Sequence, residues 1–85
     1  MWQAKGGIFI TTKTIRINTI ADVKKFCSIV IGCEYEVDIV SGRYAIDAKS
    51  IMGIFSLDLS NDLELRVHSD NCAEFLDEIK EFIVG

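Results

Sequence analysis

Ser50 is the side chain in this sequence best placed to do chemistry, as an alcohol at the start of a helix. It stands in Lys49-Ser50-Ile51-Met52-Gly53, after a non-helical Asp47-Ala48 and before an apolar run of Ile51, Met52, Ile54, Phe55 and Leu57. That spacing makes Ser50 the N-cap, its oxygen accepting from the free N–H groups of the first turn. A phosphate on the hydroxyl would meet the positive end of the helix dipole and the same unpaired donors. Modification there adds charge without unfolding anything. The helix is short, because Asp58-Leu59-Ser60-Asn61-Asp62 reads as a turn.

Elsewhere the reactive residue types do not converge. His68, the single histidine, alternates onto the outer face of a strand beside Arg66, with no helix N-terminus to cradle a phosphate, and reads as solvated. Cys27, Cys33 and Cys72 show no metal-ligand spacing, and three is an awkward count for a disulfide framework. Cys27 and Cys72 fall on the apolar faces of predicted helices as buried, reduced thiols, while Cys33 follows Gly32 at a helix end and is partly exposed. This usage points to a reducing, cytoplasmic compartment. Glu74, Asp77, Glu78 and Glu81 make a solvated helix face. With no paired carboxylates, nucleophile–base pair, Gly-rich phosphate loop or metal cluster, the chain reads as a non-enzyme without cofactor or metal.

The segment Asp47-Ala-Lys-Ser-Ile-Met-Gly-Ile-Phe-Ser-Leu57 resembles the regulatory-serine segment of the HPr family, the small bacterial histidine-containing phosphocarriers of the sugar phosphotransferase system. The family pattern is close to N-L-K-S-I-M-G-V-M-S-L. Similarity extends upstream without a gap from Ile46 to Glu34 and loosely downstream, covering Thr14 to Ile83. The resemblance implies that Ser50 is phosphorylated by an ATP-dependent HPr kinase/phosphorylase. It implies further that Ile51, Met52 and Phe55 form an exposed apolar patch for partners, a transcription regulator or a metabolic enzyme, while Ile54 and Leu57 take the core.

One departure from the family is as informative as the match. HPr proteins carry their phosphoryl-accepting histidine in G-[IL]-H-A-R-P-A at the start of the first helix. Counting back from Ser50 without gaps places Thr19 at that position, followed by Ile20, Ala21, Asp22 and Val23. The window holds no histidine, arginine or proline. A phosphohistidine carrier needs an imidazole nitrogen as nucleophile and donors to hold the phosphoryl oxygens. An unactivated threonine hydroxyl does not replace it, and Thr19 reads as a helix cap. The expectation is a non-catalytic HPr-like regulatory and binding protein that has lost phosphohistidine transfer. The alternatives are a constitutive structural or dimerisation domain and, last, a phosphocarrier using another residue such as His68.

Size and charge set the frame. Eighty-five residues make one domain, and a composition 49% hydrophobic lets burial support it without disulfides or metals. A net charge of −4 and the absence of a basic stripe exclude nucleic acid as a direct partner. No apolar run approaches the ~18 residues of a membrane span, and Trp2 to Gly7 is not a signal peptide.

Residues 1–13 fall outside the resemblance. There Gly6-Gly7 precedes the β-rich Ile8 to Thr12, read either as a flexible tail or as an arm pairing at a sheet edge, which would give a homodimer by strand exchange. The domain proper is 14–85. Ile15 and Ile17 alternate with Thr14 and Arg16 as a half-buried strand. Asn18 and Thr19 cap a helix that buries Ile20, Val23, Phe26, Cys27, Val30 and Ile31, and Gly32 ends it as a left-handed cap. Tyr35, Val37 and Ile39 alternate with Glu34, Glu36 and Asp38, and a Ser41-Gly42 turn returns the chain through Arg43 to Asp47. Leu63, Leu65 and Val67 make the last strand. Asp70 or Asn71 then caps a helix with Cys72, Leu76, Ile79 and Ile83 inward and Phe75 and Phe82 flanking. The order βαββαβα gives an α+β open-faced β-sandwich: a four-stranded antiparallel sheet with three helices on one face.

Overall fold

Alternation in the strands assigns the two faces of the sheet. In a computed structural model of the chain, residues 10–85 are described. The elements are β1 (Thr11–Ile15), α1 (Ile20–Ile31), β2 (Val37–Ser41), β3 (Tyr44–Asp47), α2 (Ile51–Phe55), β4 (Leu63–Val67) and α3 (Ala73–Glu78), then a 3-10 turn at Lys80–Phe82. The strands lie in the order β1-β4-β2-β3, and every neighbouring pair is antiparallel. The expected α+β sandwich with its βαββαβα order is the observed fold.

Register brings the apolar residues together. Val37 lies opposite Val67, Ile39 opposite Leu65 on one side and Ile46 on the other, and Ile15 opposite Leu63. All but Ile46, which is half-buried, are fully covered, and they meet Val23, Phe26 and Val30 of α1, Ile54 of α2 and Phe75 and Ile79 of the last segment. Each such aliphatic side chain contributes about 1.5–3 kcal/mol relative to exposure. Phe26 and Phe82 cross edge-to-face with centroids 5.5 Å apart. Thr12, Arg66, Asp38 and Asp47 form one transverse row on the opposite, polar face.

Several expectations need correction. The first strand spans Thr11–Ile15 rather than Thr14 to Ile17, because Thr11, Thr12 and Lys13 pair with Val67, Arg66 and Leu65; Ile15 and Ile17 are both buried as expected. Met1 to Phe9, and with them the Gly6 to Phe9 part of the suggested arm, lie outside the described residues, while Thr11 and Thr12 of that arm pair with β4 of the same chain. Ile20 and Ile31 are exposed, at 65% and 59%: at about 100° per residue both lie to one side of the buried Val23, Phe26, Cys27 and Val30 stripe. Gly32 is right-handed (φ −76°), its N–H held at 3.1 Å by the Ile29 carbonyl. The hairpin closes at Ser41↔Tyr44, so its loop is Gly42-Arg43, with Gly42 at φ +59°.

The last segment differs most from the sequence reading. Neither Asp70 nor Asn71 caps α3; Cys72 is the N-cap residue and gives no side-chain capping bond, its thiol donating instead to Ser69 O at 3.7 Å. The helix stops at Glu78, and after the 3-10 turn the chain runs extended against β1. Val84 N–H bonds to Thr14 O at 2.8 Å, and Thr14 N–H to Gly85 O at 3.2 Å. Phe75 and Phe82 are thereby core residues rather than flanking ones, and Leu76 and Ile83 are only half-buried.

Candidate functional site

β3 delivers the chain to Ser50 through a tight turn. Asp47 ends the strand, its carboxylate accepts from Lys49 N–H at 2.9 Å, and its carbonyl accepts from Ser50 N–H at 2.9 Å. Lys49 O receives the thiol of the buried Cys27 at 3.6 Å, tying α1 to this turn. Burial, and then the negative charge of Asp47, push the Cys27 thiol above its ordinary pKa, so it stays protonated and inert.

Ser50 then caps α2, as expected. Its backbone is extended (φ −95°, ψ 105°), its Oγ accepts from Gly53 N–H at 3.2 Å, and its carbonyl takes Ile54 N–H at 3.1 Å. Gly53 has a role the sequence reading missed. A Cβ there would meet Ile46 Cδ1 and Ser50 Oγ, each at 3.3 Å, so glycine lets α2 settle on β3 and lets the cap close. Ser56 secures the other end, its hydroxyl donating to Gly53 O at 2.6 Å. The recurrence of serine on both sides of a short apolar run was the available signal.

The five residues of α2 divide as a short helix on a sheet requires. Ile54 is buried and Leu57 packs partly on the core. Met52 is 75% exposed and Phe55 40% exposed, while Ile51 is half-buried against the core. The exposed Ser50 thus adjoins two solvent-facing apolar side chains and a third, partly covered one.

Thr19 lies at the N-terminus of α1 as its cap, accepting from Asp22 N–H at 3.1 Å. Beside it stand the exposed Ile20 and the carboxylate of Asp22. No described side chain hydrogen-bonds to the Thr19 hydroxyl as a base would. His68 is elsewhere, on the polar face of the sheet. It is partly buried rather than solvated: its Nε2 lies 2.7 Å from Asp38 Oδ2, and its N–H bonds to Glu36 O at 2.9 Å. Strand alternation found the face, but Asp38 is a cross-strand neighbour visible only with the register. Arg66, opposite Asp38, instead pairs with Glu64 along its own strand.

The three cysteines are free thiols, Cys27 and Cys72 buried and Cys33 intermediate. No group of three His, Cys, Asp or Glu among the described residues could hold a metal ion. Nor does a described helix have the length and apolarity to cross a membrane.

Known structures share this architecture. The HPr-C-His protein of Thermoanaerobacter tengcongensis superposes with a TM-score of 0.69 at 23% identity, over 87% of this chain and 89% of that one. The phosphocarrier protein HPr of Bacillus anthracis strain Ames gives the same score, 0.69, at 17% identity, over 88% of this chain and 98% of its own. No curated protein matches in sequence. The family model described as the PTS HPr component phosphorylation site matches residues 21–84. A match over most of the chain, on this fold, makes it a member of the HPr family of the phosphotransferase system.

Proposed function

We propose that this HPr-family protein is a non-catalytic regulatory module, read by partners through the phosphorylation state of Ser50. The observation that carries the reading is the exposed Ser50 cap beside Met52 and Phe55, in a chain whose only histidine is engaged by Asp38 on the sheet. A kinase would transfer the γ-phosphoryl group of ATP to Ser50 Oγ, forming the new O–P bond as the bond to ADP breaks and the hydroxyl proton passes to the kinase's base. The product would carry about −1.5 to −2 charges at the helix start, where the dipole favours it. An arginine cluster on a transcription regulator or metabolic enzyme would read that charge, and Ile51, Met52 and Phe55 would supply apolar contact. The proposed setting is the cytoplasm.

Phosphoryl transfer through Thr19 has no support in its surroundings, since its oxygen serves the Asp22 amide. Incubation with an HPr kinase and ATP, followed by intact-mass measurement, tests the proposal. One added phosphoryl group on the wild type and none on Ser50→Ala is the expected result. An unchanged wild-type mass ends the switch reading, and label acquired from phosphoenolpyruvate through the sugar-uptake enzymes ends the claim of lost transfer. Ser50→Ala should also cost about 1 kcal/mol of stability through the lost cap.

A further inference from the structure

β3 is a bare border of the sheet among the described residues, bonded to β2 on one side and to no strand on the other. In a hairpin closed at Ser41↔Tyr44, hydrogen-bonded positions alternate along the strand. Tyr44, Ile46 and Ala48 turn their polar groups toward β2, as the 2.9 Å bond from Ala48 N–H to Val37 O confirms. The N–H and C=O of Ala45 and the N–H of Asp47 therefore point away from the sheet. Such an edge is a template for one more strand.

The border reads Arg43-Tyr44-Ala45-Ile46-Asp47, and reversed it complements itself. Laid antiparallel on a second copy about a two-fold axis at Ala45, Tyr44 falls opposite Ile46 and alanine opposite alanine, and Arg43, the loop residue just before the strand, comes beside Asp47. The two Ala45 residues exchange both backbone bonds, and their small side chains leave the axis uncrowded. Arg43 and Asp47 are exposed, and neither has an ion pair among the described residues. Tyr44 is 72% exposed. The Ile46 it would cover lines, with Ser56 and Leu57, an open groove of about 990 Å³ beside β3, which gives the ring a seat.

The competing register decides the matter. Centring the axis on Ile46 would instead call on the Asp47 carbonyl, which already accepts from Ser50 N–H at 2.9 Å, and would bring the Arg43 loop toward Lys49 in the turn after β3, where like charges repel. A one-residue slip between these registers sets outward-bonding positions against inward-bonding ones. We propose that the protein forms a symmetric dimer by pairing β3 with β3 of a second copy, in the register centred on Ala45. This surface is separate from Ser50. A strand this short buries less than the about 1,200–2,000 Å² of a stable complex, so monomer and dimer exchange with concentration.

Sedimentation velocity of the full chain over a concentration series tests this, with circular dichroism to confirm folding. Arg43→Asp alone and Asp47→Arg alone should each raise the dimer dissociation constant about tenfold or more, because each turns two attractive pairs into two repulsive ones. Mixing the two variants should restore dimer, since each then meets its complement. Ala45→Pro, which removes an outward N–H that β2 does not use, should give monomer. A wild type that stays monomeric at millimolar concentration overturns the proposal. So does a dimer indifferent to the charge exchange and to Ala45→Pro, which would place the contact on another surface.

Discussion

Asp58 closes the turn after α2 with its own carboxylate, which accepts from Ser60 O–H at 2.5 Å, Ser60 N–H at 3.1 Å and Asn61 Nδ2 at 3.0 Å. The Ser60 hydroxyl bond, then the Ser60 amide bond, hold its pKa below the ordinary carboxylate value. Folding thus favours the ionised form. The contribution is full above the unfolded carboxyl's pKa and is lost as pH falls through the lower, folded one. Urea midpoints measured downward from about pH 4 should fall more steeply for the wild type than for Asp58→Asn. At this scale the sequence was readable wherever a residue's role is local. Ser50 and Thr19 as caps, the Asp58 to Asp62 turn and the buried Cys27 and Cys72 all depend on near neighbours in the chain. His68 was not readable, because Asp38 reaches it across the sheet from thirty positions away.

Periodicity identifies the buried face of a helix but not how wide a stripe its neighbours cover. The stripe of α1 that is buried is Val23, Phe26, Cys27 and Val30, and Ile20 lies about 60° round the helix from Val23, on its outward side. Ile31 falls on that same outward side. The hairpin shows the same limit in another form. Ser41-Gly42 announced a turn, but only the register assigns Gly42 to the first loop position, at φ +59°. Gly42→Ala should cost about 1–2 kcal/mol by chemical denaturation, although no atom lies within 4 Å of the added methyl. Gly42→Asn should cost less, because asparagine tolerates that conformation. Equal losses for both would mean that backbone conformation is not the cause.

For the whole molecule, element order and the K-S-I-M-G segment carried the fold, since a βαββαβα chain with one polar sheet face has few ways to close. The path of the C-terminus was hidden. Ile83 matches a helical period, yet the chain abandons the helix at Glu78 and pairs Ile83 with Ile15, because extended residues there can satisfy the outward amides of β1. Deleting residues 83–85 should therefore lower unfolding stability by about 1–3 kcal/mol. Hydrogen exchange should quicken first at Thr14, whose N–H loses the Gly85 carbonyl, and less at Arg16, whose partner Phe82 remains; unchanged protection at Thr14 would refute this role for the tail.

That tail also bears on how the molecule behaves when crowded. It occupies the stretch of β1 around Thr14 to Arg16, so the two flanks of the sheet are not equivalent. With that stretch of β1 already bonded and β3 open among the described residues, strand addition is favoured at the β3 flank. Pairing there would use up the open border of both partners, so growth beyond two copies is disfavoured without a proline or an inward-pointing charge.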